Sequence, residues 1–382
     1  MKIVYITDAL AIWGGLERIL VEKVNELTKR YAYEMYLLTV NQGRHQIPYS
    51  LHPSVIHHDL NILFYKQYQY KGIRRLIKKF ELNQMFKHSL KTQLNLIQPD
   101  VIVCVRSELI GVVAKVKGDT PLIYESHTSC HAQQFIHADW FTKMKMDWYN
   151  RSVRSAQQVV ALTDGDAHAW CEINPNVSVI PNLVHLNPYR RYCDYNSKSV
   201  IFVGRFSAQK DITSLLKIWF IVYQRHPDWK LQIFGGYGEE ENKLLPQIKQ
   251  MDVNIIVHEP THDIFKYYLE NSILVLTSLY EPFGLVLPEA MSCGLPVVAF
   301  DCPYGPANII THELDGFLVP ERDINRFADY VCQLIESPGL RQTMGTAGVK
   351  AAQRYQADHI MPQWQDLFVS LTSKEPSSRR TI

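Results

Sequence analysis

Short runs rich in Val, Ile and Leu alternate along this chain with longer stretches of helical periodicity, and few folds accommodate that alternation. A run of four to six β-branched and aliphatic residues is too short to be a buried helix. Repeated between helices, it reads as a strand of a parallel sheet whose crossovers are the helices. In the first half such runs occur at Lys2–Thr7, Glu34–Thr39, Val101–Val105, Leu122–Glu125, Gln158–Leu162 and Val177–Ile180. In the second they occur at Ser199–Val203, Lys230–Phe234, Asn254–Val257, Ser272–Thr277 and Pro296–Ala299. Between the first two, Leu16, Ile19, Leu20, Val24 and Leu27 follow the 3.6-residue period and predict a helix over Gly15–Arg30.

Two β/α series imply two domains, and 382 residues are too many for one ordinary core. Turn signals gather between the series at Pro181-Asn182, Asn187-Pro188 and Asn196-Ser197. The expected division is a Rossmann-like domain over 1–182, a linker over 183–197 and a second Rossmann-like domain over 198–354. A final apolar stretch, about 355–372, is expected to form a helix that crosses back to the first domain. With a cleft between two open sheets, ligand-binding residues should lie in the loops that follow strands.

Composition removes several alternatives. Hydrophobic residues at 46% and charged residues at 20% fit a globular chain, with disorder expected only near Glu375 to Arg380. No apolar run approaches the ~20 residues a membrane-spanning helix needs. The strand pattern at Lys2–Ile6 argues against a cleaved signal peptide, and seven cysteines without a CxxC pair fit reduced thiols in the cytoplasm. A net charge of +2 gives no reason to expect a nucleic-acid partner.

The segment richest in chemistry runs from Ser278 to Pro296, SLYEPFGLVLPEAMSCGLP, between two predicted strands. Glu281 falls in a strand-to-helix loop and Glu289 near the start of a helix that ends at Gly294. Gly284 permits close backbone approach, and Leu285 and Val286 offer N–H groups at a helix start, where aligned donors suit phosphate. Two carboxylates beside such a start would repel phosphate, but they suit the hydroxyls of a sugar or ribose.

This E-x7-E string resembles glycosyltransferase family 4 (glycosyl transferases group 1), retaining enzymes of the GT-B fold, among them bacterial surface-polysaccharide enzymes. Val203-Gly204-Arg205-Phe206-Ser207-Ala208-Gln209-Lys210-Asp211 resembles the family's diphosphate-binding loop. Arg205 suits a bidentate grip on phosphate oxygens and Lys210 a point charge. Gly14-Gly15, opening the first helix, resembles the family's N-terminal glycine loop. His127, after the strand ending at Glu125, matches the histidine that faces the donor sugar, the bland alternative being a capping or buried histidine. The resemblance implies that Arg205, Lys210, Glu281 and His127 act in sugar transfer. It implies that Gly14, Gly15, Gly204, Phe283, Gly284, Leu285, Val286 and Glu289 bind the donor, with Glu289 on the ribose. Asp301 to Ile310 and Asp315-Gly316 resemble loops on the nucleotide side. Many relatives carry an acidic residue where Asn308 stands here.

The implied reaction moves a sugar from a nucleotide-sugar donor, UDP- or GDP-linked, to a glycan or lipid-linked acceptor with retention and without metal or cofactor. An epimerase or a glycogen-synthase-like enzyme of the same fold, and a silent glycan-binding subunit, stay open as other readings. Asp164-Gly-Asp166 matches a metal-binding DxD, but a helix cap fits its position better. His127 and His131, four apart, lack an acidic partner at ligand spacing. Gly235-Gly-Tyr-Gly238 lacks the third glycine of a dinucleotide fingerprint and reads as a bend near the nucleotide. Lys66 to Lys91 carries eight Lys/Arg against one acidic residue, with Ile73, Leu76, Ile77, Phe80, Leu82 and Phe86 interleaved. It is either a solvated helix or one lying on anionic lipid at the inner face of the cytoplasmic membrane.

Overall fold

The computed structural model describes residues 1–12, 14–130, 140–189, 191–236 and 238–373. His131, Tyr237 and the stretch Glu375 to Arg380, all used above, lie outside the described residues. The described chain forms two units. One comprises Met1–Leu183 with the segment that begins at Ala357, and the other is Val184–Gln356.

The first unit holds β1 (Lys2–Thr7), α1 (Gly15–Tyr31), β2 (Glu34–Thr39), β3 (Ile56–Asp59), α2 (Gly72–Ile97), β4 (Val101–Cys104), α3 (Ile110–Val116), β5 (Leu122–Glu125), α4 (Trp140–Arg154), β6 (Gln158–Ala161), α5 (Asp164–Cys171) and β7 (Val177–Val179). The second holds β8 (Ser199–Val203), α6 (Ile212–Arg225), β9 (Lys230–Phe234), α7 (Glu241–Gln250), β10 (Ile255–His258), α8 (Ile264–Leu269), β11 (Ile273–Leu276), α9 (Val286–Ser292), β12 (Val297–Phe300), α10 (Pro306–Ile309), β13 (Gly316–Val319), α11 (Ile324–Glu336) and α12 (Pro338–Ala352). A last helix, α13 (Ala357–Thr372), belongs to the first unit.

Both sheets are wholly parallel, ordered β3-β2-β1-β4-β5-β6-β7 and β10-β9-β8-β11-β12-β13. Helices cover both faces, so central strands read as unbroken apolar runs. In β1, Ile3, Val4, Tyr5 and Ile6 are all fully buried, and Tyr5 sits between Leu37 of β2 and Val103 of β4.

Two strands were not legible. In β3, Ile-His-His-Asp carries three polar residues at the sheet edge, and β13 opens on Gly316. Neither presents a β-branched run.

The stretch expected as a linker is fastened to the second unit instead. Cys193 N–H donates to Cys293 O, Asn187 N–H to Ser292 Oγ, and the buried Arg341 guanidinium to Tyr195 O. Within the first unit α13 sets Ile360, Met361, Trp364, Leu367 and Phe368 into the core beneath β1 and α1. The crossing-back helix is therefore a structural wall of the first sheet.

Candidate active site

In an open parallel sheet, a crevice opens where successive connections depart to opposite sides. In the second unit that point lies between β8 and β11, neighbours in the sheet although 69 residues separate the end of one from the start of the other (273 − 203 − 1). The loops leaving these two strands hold Arg205, Lys210 and Glu281.

They are laced together by backbone and side chain. Leu279 N–H donates to Gln209 O, Gln209 Nε2 to Tyr280 O, and Thr277 Oγ1 to Lys210 O. The Lys210 ammonium pairs with Glu281 Oε1, which also accepts from Ser278 Oγ at 2.7 Å. Both side chains are mostly buried, 15% and 6% exposed. A cation and a carboxylate thus stand together at the switch point. Asp211, with φ at +43°, caps α6 by accepting from Ser214 N–H, which turns the chain sharply after Lys210.

Close backbone packing explains the glycines. A Cβ on Gly235 would meet Gly204 O at 1.8 Å, and one on Gly238 would meet Phe206 O at 1.9 Å. The loop after β9 is thereby pressed against the loop after β8. It brings Glu239, whose carboxylate is lowered by the backbone N–H groups of Glu239 and Ala208 and then by nearby Arg205. Gly235 and Gly238 thus serve close packing of this loop beside Arg205. Gly204 also lets the Lys210 stem lie 3.3 Å from where a Cβ would stand.

Glu281 and Glu289 emerge on either side of a tight turn. Gly284 takes φ +94°, a region that side-chain-bearing residues avoid. Leu287 N–H then donates to Gly284 O and Glu289 N–H to Leu285 O, and α9 begins at Val286. The Phe283 ring is buried edge-on against Tyr355, 5.2 Å between centroids, and anchors this turn. Glu289 is buried, and its Oε2 accepts from Tyr268 OH on α8 at 3.3 Å.

Asn308 has a definite task. Its Nδ2 donates to Tyr304 O at 2.6 Å, while its own carbonyl accepts from Arg354 and Tyr355 OH. A carboxylate there would set acceptor against acceptor, so this chain's amide suits its surroundings. Asp315 likewise serves its loop, accepting from Thr311 N–H at 2.7 Å.

In the first unit the switch point lies between β1 and β4. Gly14 and Gly15 open α1 there, and the first turn carries the buried Glu17, held by Arg106 from the loop after β4 at 3.0 Å. His127 follows β5, its side chain only 7% exposed, with Nε2 2.8 Å from Glu125 Oε1. Lys23, projecting from the buried face of α1, pairs with the same Oε1. Burial alone would raise the Glu125 carboxyl, but Lys23 and His127 outweigh it and hold it down at about 2.

A carboxyl depressed from 4.5 to about 2 contributes stability that is present above 4.5 and is lost as pH falls toward 2. Wild type should therefore exceed Glu125→Gln in stability at pH 7, and the gap should narrow between pH 4.5 and 3. Denaturant melts at each pH would show it. A gap that stays constant across that range would contradict the assignment.

Asp166 does not act as the cap expected of it. Thr163 is the N-cap, its Oγ1 accepting from Asp166 N–H, while the Asp166 carboxylate accepts from Cys130 N–H and Trp170 Nε1.

Sequence reasoning missed Ser278, Tyr268, Glu239, Lys23 and Glu125. For Lys23 a signal existed: it shares a helical face with Leu20, Val24 and Leu27, where a lysine is out of place. The others depend on contacts between distant segments.

Two α/β units with wholly parallel sheets, their charged loops lying beyond the strand ends, have the architecture of the GT-B class. Residues 13–187 match the family model described as Glycosyltransferase Family 4, and residues 194–351 that of Glycosyl transferases group 1. The chain is therefore a GT-B glycosyltransferase related to family 4 and group 1, a retaining enzyme that transfers a sugar from a nucleotide-sugar donor to a glycan acceptor. It is 29% identical over 376 residues to the amylovoran biosynthesis glycosyltransferase AmsD of Erwinia amylovora, covering 96% of this chain and 99% of that one. Among solved structures it resembles TarM of S. aureus in complex with UDP (TM-score 0.78, 15% identity, 96% and 99% covered). It also resembles Anabaena HepE with UDP-glucose (TM-score 0.74, 19% identity, 97% and 100% covered).

Proposed function

We propose that Arg205 and Lys210 bind the donor diphosphate, Glu281 the donor sugar and Glu289 the ribose, with His127 and the Gly14-Gly15 loop serving the donor from the first unit. The acceptor in this reading is a lipid-linked glycan at the cytoplasmic face of the membrane, in surface-polysaccharide assembly. The Lys210–Glu281 pair at the β8–β11 switch point carries the reading. As the glycosidic bond to the nucleotide breaks, negative charge grows on the departing phosphate. A cation held nearby by its carboxylate partner stabilises that charge more in the transition state than in the ground state. The same phosphate accepts the acceptor's proton, so no separate base is required. AmsD, a glycosyltransferase of amylovoran biosynthesis, supports a biosynthetic role, and the UDP complexes of TarM and HepE make uridine donors the first to try.

Thermal shift with UDP-, GDP- and ADP-sugars, with and without EDTA, tests the donor and the metal-free reaction together. At ten times Kd a donor adds about 1.4 kcal/mol to stability. A shift with one nucleotide class that survives EDTA is expected. No shift with any of them would remove the donor assignment, and a shift abolished by EDTA would remove the metal-free one.

The outer face of α2 supports the membrane reading. From Leu82 onward it buries Leu82, Phe86, Leu90, Leu94 and Ile97, whereas its first turns leave Ile73, Leu76, Ile77 and Phe80 each more than half exposed. These four share one helical face, and Arg74, Arg75, Lys78 and Lys79 occupy the rest of the same turns. A helix adapted only to water would not place its apolar stripe outward. No described helix is long and apolar enough to cross a membrane. The protein should sediment with phosphatidylglycerol vesicles and not with phosphatidylcholine vesicles. Leu76→Ser with Phe80→Ser should weaken that binding at least ~10-fold, from the apolar area withdrawn. Sedimentation unaffected by the two serines would rule out this face.

A further inference from the structure

We infer that Lys23 and Glu125 are positioning residues of the transfer reaction, acting through His127. The inference rests on the assignment of His127 to the donor and extends it to two residues buried behind it.

Lys23 and Glu125 come from elements far apart in sequence, the middle of α1 and the last residue of β5. Their side chains are 1% and 0% exposed. The ammonium and His127 Nε2 converge on a single carboxylate oxygen, Oε1, whereas Oε2 has no hydrogen-bond partner among the described residues. The Lys23 ammonium also lies 4.4 Å from the ring centroid of Trp364, which α13 brings into the same core. Tyr5 OH and Thr7 Oγ1, on β1, are buried without hydrogen-bond partners among the described residues, and burial, then the Glu125 charge, pushes the Tyr5 hydroxyl well up.

Nothing about the fold requires charges here. Trp364, against which the Lys23 ammonium lies, belongs to an apolar core with Leu20, Val24 and Ile123, and an apolar pair in place of Lys23 and Glu125 would serve packing as well or better. What an apolar pair could not do is fix the imidazole. A carboxylate oxygen 2.8 Å from Nε2, though off the straight line of a hydrogen bond, favours a proton on that nitrogen and turns it inward. Nδ1 is then the nitrogen left to accept from a sugar hydroxyl. Lys23 keeps Glu125 ionised despite complete burial, so the orientation does not lapse near neutral pH. Lys23, Glu125 and His127 form one chain of contacts through Glu125 Oε1, with Trp364 closing its inner end.

The test is a double-mutant cycle on the full-length enzyme: wild type, Glu125→Gln, His127→Ala and the double variant, with kcat and donor KM measured after confirming cooperative melting. Glu125→Gln is expected to lower kcat about 10-fold, within the coupling found for residues in one network, and to leave donor KM within about threefold. The double variant should match His127→Ala within about twofold, because Glu125 has nothing left to orient. Losses that multiply would show Glu125 acting independently of His127 and overturn the inference, as would Glu125→Gln at the wild-type rate. A wild-type rate for His127→Ala would instead reject the His127 assignment, and this inference with it. If Glu125→Gln does not fold, Lys23→Met/Glu125→Gln, which leaves no buried charge unpaired, takes its place in the cycle with the same expectation.

Discussion

Replacement of Lys210 by alanine is expected to lower turnover by at least ~10²-fold, the scale of removing one preorganised charge donor. Two effects contribute, and the structure separates them. Loss of the ammonium removes the stabilisation of the departing diphosphate. It also strands Glu281, 6% exposed, with Ser278 Oγ donating to its carboxylate in place of a cation. A buried carboxylate without a counter-charge is costly, so Lys210→Ala should also lower stability by ~1–3 kcal/mol. Lys210→Ala/Glu281→Gln should recover much of that stability while turnover stays low. Steady-state rates with the donor found by thermal shift, alongside melts of both variants, distinguish the two effects. A folded Lys210→Ala enzyme at the wild-type rate would remove Lys210 from the mechanism.

Gly235→Ala should be among the most damaging single-methyl changes in the second unit. The added carbon would stand 1.8 Å from Gly204 O, and both partners are backbone, so neither can rotate away. The loop after β8 must shift, and with it Arg205 and the start of the Lys210 segment. We expect a loss of about 3 kcal/mol or more, the upper range for overpacking, and a drop of roughly 6–12 °C in Tm for a unit of this size. The donor-induced stabilisation should fall as well. A melt within about 1 °C of wild type would mean that these loops do not touch as described. By contrast, Gly284→Ala meets nothing closer than 3.4 Å and is opposed only by φ +94°. Its cost should be the smaller, about 1–2 kcal/mol.

The sequence was most informative where the chemistry is local. Glu281, Gly284 and Glu289 lie within one strand–turn–helix, and their relative placement follows from nine residues of backbone geometry. The periodicity that marked Leu16 to Leu27 as a helix also reflects local backbone, since side chains four apart on a helix share a face. Strand positions were legible because parallel strands covered on both faces must be apolar throughout. The edge strand β3 escaped because it is under no such demand.

Tertiary structure alone decided which of these segments meet. The sheet orders, and so the switch point that brings the β8 and β11 loops together, are set by strand pairing between residues some seventy positions apart. The pairing of Lys210 with Glu281, the pressing of Gly235 on Gly204 and the donation of Asn308 to Tyr304 all follow from that packing. The same holds for Lys23 and Glu125. In sequence Lys23 is a lysine on an apolar helical face, and Glu125 is only the last residue of a strand. Only the assembly of α1, β5 and α13 into one core makes them partners, because a buried charge must find its opposite wherever the fold brings one.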